Sequence, residues 1–301
     1  MRKRKVVGLG TAALTMVAAL KVRRVLQTGR AETGEFDNGM RYARWGDGPK
    51  NLLWIPGGPG SDVPHGSMSA IYGRQFKPLT DAGFAVWQVA RRANMPAGHS
   101  VSDMADDYAQ LIADRFGGHV DAVVGISYGG MIAQYLAADH ASCFDHLVIA
   151  LSADQITDWG RDVDYRWAQA RAQGRDSDAG LIMAEYIYPD DAAQRQRRRV
   201  APLLSRVTSG EHVLAGDLMV EAEAELAFDA REALPRITVP VLLISAEGDM
   251  FFTPEIVAET VGRISDCTHI EYEGIGHMRA AMSSGLVRDV LDWVERPTAG
   301  A

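Results

Sequence analysis

Only two cysteines, Cys143 and Cys267, occur in 301 residues. That excludes a disulfide framework, and their placement carries no metal-ligand spacing. Both are expected as unpaired, mostly buried thiols. His-Glu-x-x-His is absent, no Gly-Lys-Ser/Thr follows the glycine-rich stretches, and no dinucleotide fingerprint follows the first strand. The signatures of a zinc protease, of a nucleotide phosphate cradle and of nicotinamide chemistry are therefore all missing, and neither metal nor cofactor is expected. Long hydrophobic runs are lacking too. The uncharged N-terminal stretch Val6 to Leu20 is 15 residues, against the roughly 20 that span a bilayer core.

That stretch is flanked by Arg2-Lys3-Arg4-Lys5 on one side and by Lys21, Arg23 and Arg24 on the other. A basic cluster followed by an apolar run has the form of a signal sequence or anchor, so residues 1–31 are expected to associate with a membrane. The other readings are an amphipathic surface segment and an upstream extension; without an anchor the chain would be cytoplasmic. Positive charge on both flanks leaves orientation unspecified. The formal charge is −8 overall, but residues 1–31 hold eight bases and no acid, which leaves the remainder at −16. Such a body is no partner for nucleic acid or an anionic surface. A small-molecule substrate is the expected partner, and oligomeric state is not encoded in any feature of the sequence.

What is present is a regular alternation. Gly34 to Trp45 reads as a hairpin turning at Asn38-Gly39. Leu52–Ile55 and Phe84–Val89 read as buried strands with a helix between them, around Met68 to Leu79. Ser102 to Phe116 shows helical spacing of Met104, Tyr108, Leu111 and Ile112, with Ser102 as a candidate cap. Val120–Val124 is a strand, Met131–Ala137 a helix, and His146–Leu151 a strand. Residues 155–233 then break the rhythm with charged, irregular helical patterns before a strand at Ile237–Ser245. A helix at Pro254–Arg263, a strand at Thr268–Tyr272 and a helix at Leu286–Val294 complete the chain. Strands alternating with helices predict an α/β fold, a mostly parallel sheet covered on both faces. The core is assigned to residues 32–154 and 234–296, with 155–233 as a helical cap insertion and 297–301 as a disordered tail. The basic run Arg195 to Arg199 inside the insertion reads as a solvated helix face.

One motif sits at a joint of this pattern. Gly125-Ile126-Ser127-Tyr128-Gly129 follows a strand and opens a helix, which is the setting a nucleophile elbow requires. A serine hydroxyl needs a base to take its proton, and the base needs a carboxylate to fix its tautomer. Downstream, Ala246-Glu247-Gly248-Asp249 follows a strand end, and Gly274-Ile275-Gly276-His277 follows the next strand.

These three signatures, in kind, order and surroundings, resemble the α/β-hydrolases of the capped, single-domain type, from about Gly34 to Val294. The resemblance implies an eight-stranded sheet with Ser127 as nucleophile, His277 as general base and then acid, and Asp249 as the orienting carboxylate. Glu247 and Asp154 remain alternative acids. His65, behind the glycine/proline loop, is a candidate pocket residue whose simpler reading is structural. His140 and His146 read as structural, His269 as a strand residue, and His99, His119 and His212 as surface groups.

The resemblance also implies an oxyanion hole built from the Tyr128 amide and from the loop Pro56-Gly57-Gly58-Pro59-Gly60, most plausibly the Gly58 amide. Relatives usually open that loop with His-Gly; this chain has Pro56-Gly57. The implied activity is hydrolysis of a carboxylic ester of a small or medium substrate through an acyl-enzyme. Because Gly-Gly-Pro-Gly also resembles proline iminopeptidases, an aminopeptidase is the alternative, with Glu221, Glu223 or Glu225 holding a free amino terminus. A non-catalytic binding protein on the same fold is a third reading.

Overall fold

The computed structural model describes residues 29–189, 191–207 and 213–296. The basic and apolar N-terminal segment, apart from its last residues, lies outside them, as do His212 and the tail 297–301. Among the described residues, no helix is long and apolar enough to cross a membrane.

Eight strands form one sheet: β1 (Glu32–Glu35), β2 (Arg41–Trp45), β3 (Lys50–Ile55), β4 (Phe84–Val89), β5 (Val120–Ile126), β6 (Phe144–Ala150), β7 (Val241–Ala246) and β8 (Cys267–Tyr272). Their order is β1-β2-β4-β3-β5-β6-β7-β8. β1 and β2 form an antiparallel hairpin, β2 pairs antiparallel with β4, and all later pairings are parallel.

The period-2 geometry of a strand sends alternate residues to opposite faces, and here both faces are apolar. Leu53, Ile55, Val123, Leu147, Ile149 and Leu243 enter one core, while Leu52, Trp54, Val124, Val148, Leu242 and Ile244 enter the other. Helices cover both. On the first face lie α3 (Val101–Arg115), through Met104, Tyr108 and Leu111, and α4 (Tyr128–Asp139), through Met131, Ile132 and Leu136. On the second lies the terminal helix Ser284–Val294, through Leu286, Val287, Val290 and Trp293. Each fully buried Leu, Ile or Val contributes on the order of 1.5–3 kcal/mol, so both faces are strongly anchored.

Several boundaries differ from the sequence reading for local reasons. α3 is capped by Ser100, not Ser102: the Ser100 hydroxyl accepts from the Asp103 amide and the Asp103 carboxylate accepts from the Ser100 amide, a reciprocal capping box. The expected helix at 68–79 is two helices, α1 (Gly66–Gln75) and α2 (Lys77–Asp81), meeting at Phe76 with Pro78 in the first turn of the second. Ile237–Pro240 is not strand. A short 3₁₀ turn at Leu234–Arg236 precedes it, and Pro240, which has no N–H to give a sheet ladder, immediately precedes β7. Cys143 and Cys267 are free but only half-buried.

Between β6 and β7 the chain leaves the sheet, and its described residues form four α-helices: α5 (Asp158–Ala172), α6 (Asp176–Ile187), α7 (Gln194–Val207) and α8 (Ala215–Leu226). α5 and α8 meet in a small core of their own, around Trp167, Ala168, Leu218 and Ala222. Arg195, Arg198 and Arg199 are exposed on α7.

Candidate active site

The parallel strands β3, β5, β7 and β8 all deliver their following loops to one sheet edge, where groups gather in parallel sheets. At the end of β5, Ser127 takes φ 53° and ψ −119°. That left-handed conformation is uncommon for a residue with a side chain, and packing on both sides holds it. A Cβ on Gly129 would sit 2.2 Å from the Ile55 carbonyl oxygen, and one on Gly125 would sit 2.3 Å from the Gly129 carbonyl oxygen. Only glycines allow β3, β5 and α4 to cross this closely. The Ser127 amide donates to the Ala150 carbonyl (2.8 Å), and its carbonyl accepts from the Gly130 amide (2.8 Å). The backbone is thereby tied to β6 and to α4.

The hydroxyl faces a histidine. Ser127 Oγ lies 3.0 Å from His277 Nε2, and His277 Nδ1 lies 2.7 Å from Asp249 Oδ2. A carboxylate only accepts, so Nδ1 carries the proton and Nε2 is left to accept from the serine hydroxyl. Asp249 is buried, and its Oδ1 accepts from the Phe251 and Phe252 amides at 2.9 and 3.2 Å, which fixes its orientation. The two loops are stitched together: the Glu247 amide donates to the Tyr272 carbonyl, and the Gly248 amide to the Ile275 carbonyl. Phe251 packs on the imidazole with ring centres 4.8 Å apart, and Tyr186 of α6 packs on Phe251 at 5.2 Å.

The alternative carboxylates are placed elsewhere. Asp154 is buried, but its Oδ2 accepts from Arg263 Nη1 at 2.9 Å, and burial pushes its pKa up. Glu247 is exposed and accepts from the Gly274 amide. His65 is exposed at the start of α1. His146 is buried against the Arg296 carbonyl, and His140 bonds Asp106. His99 is not the surface group expected: its side chain is 10% exposed and bonds Asp107 at 2.8 Å. His119 is exposed, and His269 lies in β8 beside Ser245. Among the described residues, no group of three or more His, Cys, Asp or Glu is arranged to hold a metal.

Above Ser127 lies the loop 56–60. A Cβ on Gly57 would meet the Ser127 Cβ at 2.9 Å, so the loop rests directly on the serine. Gly58 has φ +69°, a conformation that favours glycine. Tyr128 is the first residue of α4, so its amide has no intrahelical acceptor.

Arg91, two residues past β4, was not singled out in the sequence. Its guanidinium is buried beneath the loop, donating to the carbonyls of Pro56 (3.1 Å) and Gly58 and to both carboxylate oxygens of Glu221 on α8 (2.7 and 3.1 Å). It also stacks 4.4 Å from the Tyr128 ring centre. Glu221 in turn accepts from the Gly60 amide. Nothing local marks Arg91 or its pairing with Glu221; only the fold brings positions 56, 58, 91 and 221 together.

The insertion also contributes a buried acidic pair, Asp164 of α5 and Glu225 of α8. Tyr186 donates to Asp164. Burial, partly offset by hydrogen bonds from Tyr186 and Glu225 and by His277, pushes Asp164 up to about 6. Burial, reinforced by Asp164, pushes Glu225 well above the usual carboxylate range. Glu223 is exposed.

Comparison with known proteins agrees with this architecture. The alpha/beta hydrolase family matches residues 52–288. A protein from Yersinia enterocolitica assigned the name carbamate hydrolase RutD is 28% identical over 189 residues, 61% of this chain and 64% of that one. Its namesake from Stutzerimonas stutzeri is 30% identical over 169 residues, 52% and 59% respectively. The chain thus spans less than two thirds of the length of these relatives. In fold, it is similar to the enol-lactonase from Burkholderia xenovorans LB400, with TM-score 0.64, 20% identity, and 88% of this chain and 100% of that chain covered. It is likewise similar to the hydrolase MGS-M2 from a Medee basin deep-sea metagenome library, with TM-score 0.68, 16% identity, and 90% and 99% covered.

Proposed function

Because this chain belongs to the alpha/beta hydrolase family, its match covering residues 52–288, we propose that it is a serine hydrolase acting on a small or medium carboxylic ester through an acyl-enzyme. The observation that carries this reading is the hydrogen-bonded series Ser127–His277–Asp249 at the mouth of β5. His277 Nε2 takes the hydroxyl proton as Oγ attacks the acyl carbon. Asp249 holds the Nδ1 proton and stabilises the imidazolium. The developing oxyanion is held by the Gly58 and Tyr128 amides, where each donor is worth on the order of 3 kcal/mol in the transition state. His277 then protonates the departing alkoxide, activates water for attack on the acyl-enzyme, and returns its proton to Oγ as the acid leaves.

An ester is the first choice because an alkoxide leaves more readily than an amine. The helical insertion 155–233 serves as the cap: its Tyr186 packs on Phe251, which packs on the imidazole, and Tyr186 donates to the buried Asp164 beside Glu225. The aminopeptidase alternative needs a free acidic group in this cap. Glu221 is engaged by Arg91 and Glu223 faces solvent, which leaves Glu225 beside Asp164. Carbamates present the same kind of acyl carbon, and the names of the relatives place them in the substrate screen.

Incubation with a fluorophosphonate probe tests the assignment. Wild type should label stoichiometrically at Ser127, and Ser127→Ala should not. A folded wild type that resists the probe and turns over no ester would instead support a binding protein on this fold.

A further inference from the structure

The loop carrying the Gly58 amide begins Pro56-Gly57 and so lacks the histidine that would support it from its own sequence. The geometry points to Arg91 as the positioning residue of the oxyanion hole, held in place by Glu221 of the cap. This inference rests on the serine-hydrolase reading and adds a mechanism for its transition-state site.

Three observations converge. First, the Pro56 and Gly58 carbonyls flank the single peptide link that carries the Gly58 N–H, and Arg91 donates to both, to Pro56 at 3.1 Å. Holding the carbonyls on either side anchors both ends of the planar unit between them and restricts how far it can turn. Second, the same guanidinium lies on the Tyr128 ring at 4.4 Å, and the Tyr128 hydroxyl donates to the Glu221 carbonyl at 2.8 Å. The residue supplying the other oxyanion amide is thus held by the same pair. Third, Arg91 and Glu221 are almost fully buried, with side chains 1% and 3% exposed, and meet in a two-pronged ion pair. A planar five-donor fork is the group that can satisfy two carbonyls and a carboxylate at once; a lysine ammonium, with three donors on one nitrogen, cannot span them.

Glu221 also accepts from the Gly60 amide, so the far end of the loop is tied to the cap. The backbone of Arg91 completes the frame, its amide donating to the Ser61 hydroxyl at 2.9 Å. A buried ion pair contributes little net stability, and removing one partner strands the other charge. Its value here is geometric: it transmits the position of α8 to the peptide that will face the oxyanion. Arg91 touches no reacting atom and acts only through that peptide.

The test compares wild type with Arg91→Lys and with Arg91→Met/Glu221→Gln, in which no unpaired charge is buried and glutamine keeps an acceptor for Gly60. Turnover of p-nitrophenyl acetate and the rate of Ser127 phosphonylation are measured on protein with a wild-type near-UV spectrum. Both variants should lose at least tenfold in kcat, and the double variant about a hundredfold, the scale of one displaced oxyanion donor. KM should stay within twofold, the pH profile should not move, and phosphonylation should slow in parallel. Folded variants with kcat within twofold of wild type would overturn the positioning role alone. A wild type that neither turns over nor labels would remove the parent reading, and this one with it. Should both variants fail to fold, the crystal structure of phosphonylated wild type decides. A phosphonyl oxygen bonded to the Gly58 and Tyr128 amides above an engaged Arg91 supports the assignment; an oxygen held elsewhere, or a withdrawn guanidinium, refutes it.

Discussion

Asp249 and Asp154 are both buried aspartates just beyond strand ends, and the sequence offers no means of ranking them beyond the family resemblance. The partners separate them. Asp249 faces His277, whereas Asp154 faces Arg263. Asp249→Asn should retain the fold and lose on the order of 10⁴ in kcat, because an amide can no longer enforce the productive imidazole tautomer. Asp154→Asn should leave kcat within a few fold and cost roughly 1.5–3 kcal/mol of stability, the scale of a hydrogen bond to a charged group. Steady-state kinetics and denaturant titration of the two variants check both. If the kinetic losses were reversed, the roles assigned here would have to be exchanged. Ser127 and its flanking glycines were legible because the motif is contiguous. Arg91 was not, since its four partners lie on three separate segments.

At the level of elements, the elbow is a crossing of β3, β5 and α4 with no room for a side chain. Gly129→Ala would drive a Cβ to 2.2 Å from the Ile55 carbonyl oxygen and 2.9 Å from that of Pro56. Backbone cannot rotate aside as a flexible side chain can, so overpacking should cost about 1–3 kcal/mol. The expected result is a Tm lower by several degrees by calorimetry, with Ser127 labelling slowed because the Pro56 loop is displaced. Unchanged melting and labelling would contradict the close-crossing argument. The strands themselves were readable because a buried parallel strand is a short apolar run bounded by turn residues. β4 was placed to the residue for that reason, as was the helix Pro254–Arg263, which begins at a proline. The helices of the insertion were not readable individually. Much of their burial is against one another and the loop over Ser127, as in the small core around Trp167 and Leu218, so no single stripe of their sequence stays apolar.

For the whole molecule, the inserted helices carry a cost that depends on pH. Asp164 and Glu225 are both held above the ordinary carboxylate range by burial. In the unfolded chain both ionise near pH 4. Between there and the folded values, about 6 for Asp164 and well above the usual carboxylate range for Glu225, the folded state binds more protons than the unfolded one. Stability contributed by this pair is therefore fully present below pH 4 and is lost as pH rises through 6. Glu225→Gln removes part of that loss. Its unfolding free energy relative to wild type should rise between pH 4 and pH 7, by up to about 1.4 kcal/mol for each unit of pKa shift removed. A difference that stays flat across this range in urea titrations would show that the pair is not held protonated. Nothing in the sequence signalled this coupling, because residues 164 and 225 belong to different helices, and only the packing of α5 on α8 brings them together.

The most direct measurement is mass spectrometry of the protein acid-quenched during turnover of p-nitrophenyl acetate. The account predicts an acetyl group on the peptide containing Ser127 in wild type, and none in Ser127→Ala. Ester hydrolysis at the wild-type rate by Ser127→Ala, or an acyl group mapped to any other residue in a turnover-competent enzyme, would contradict it.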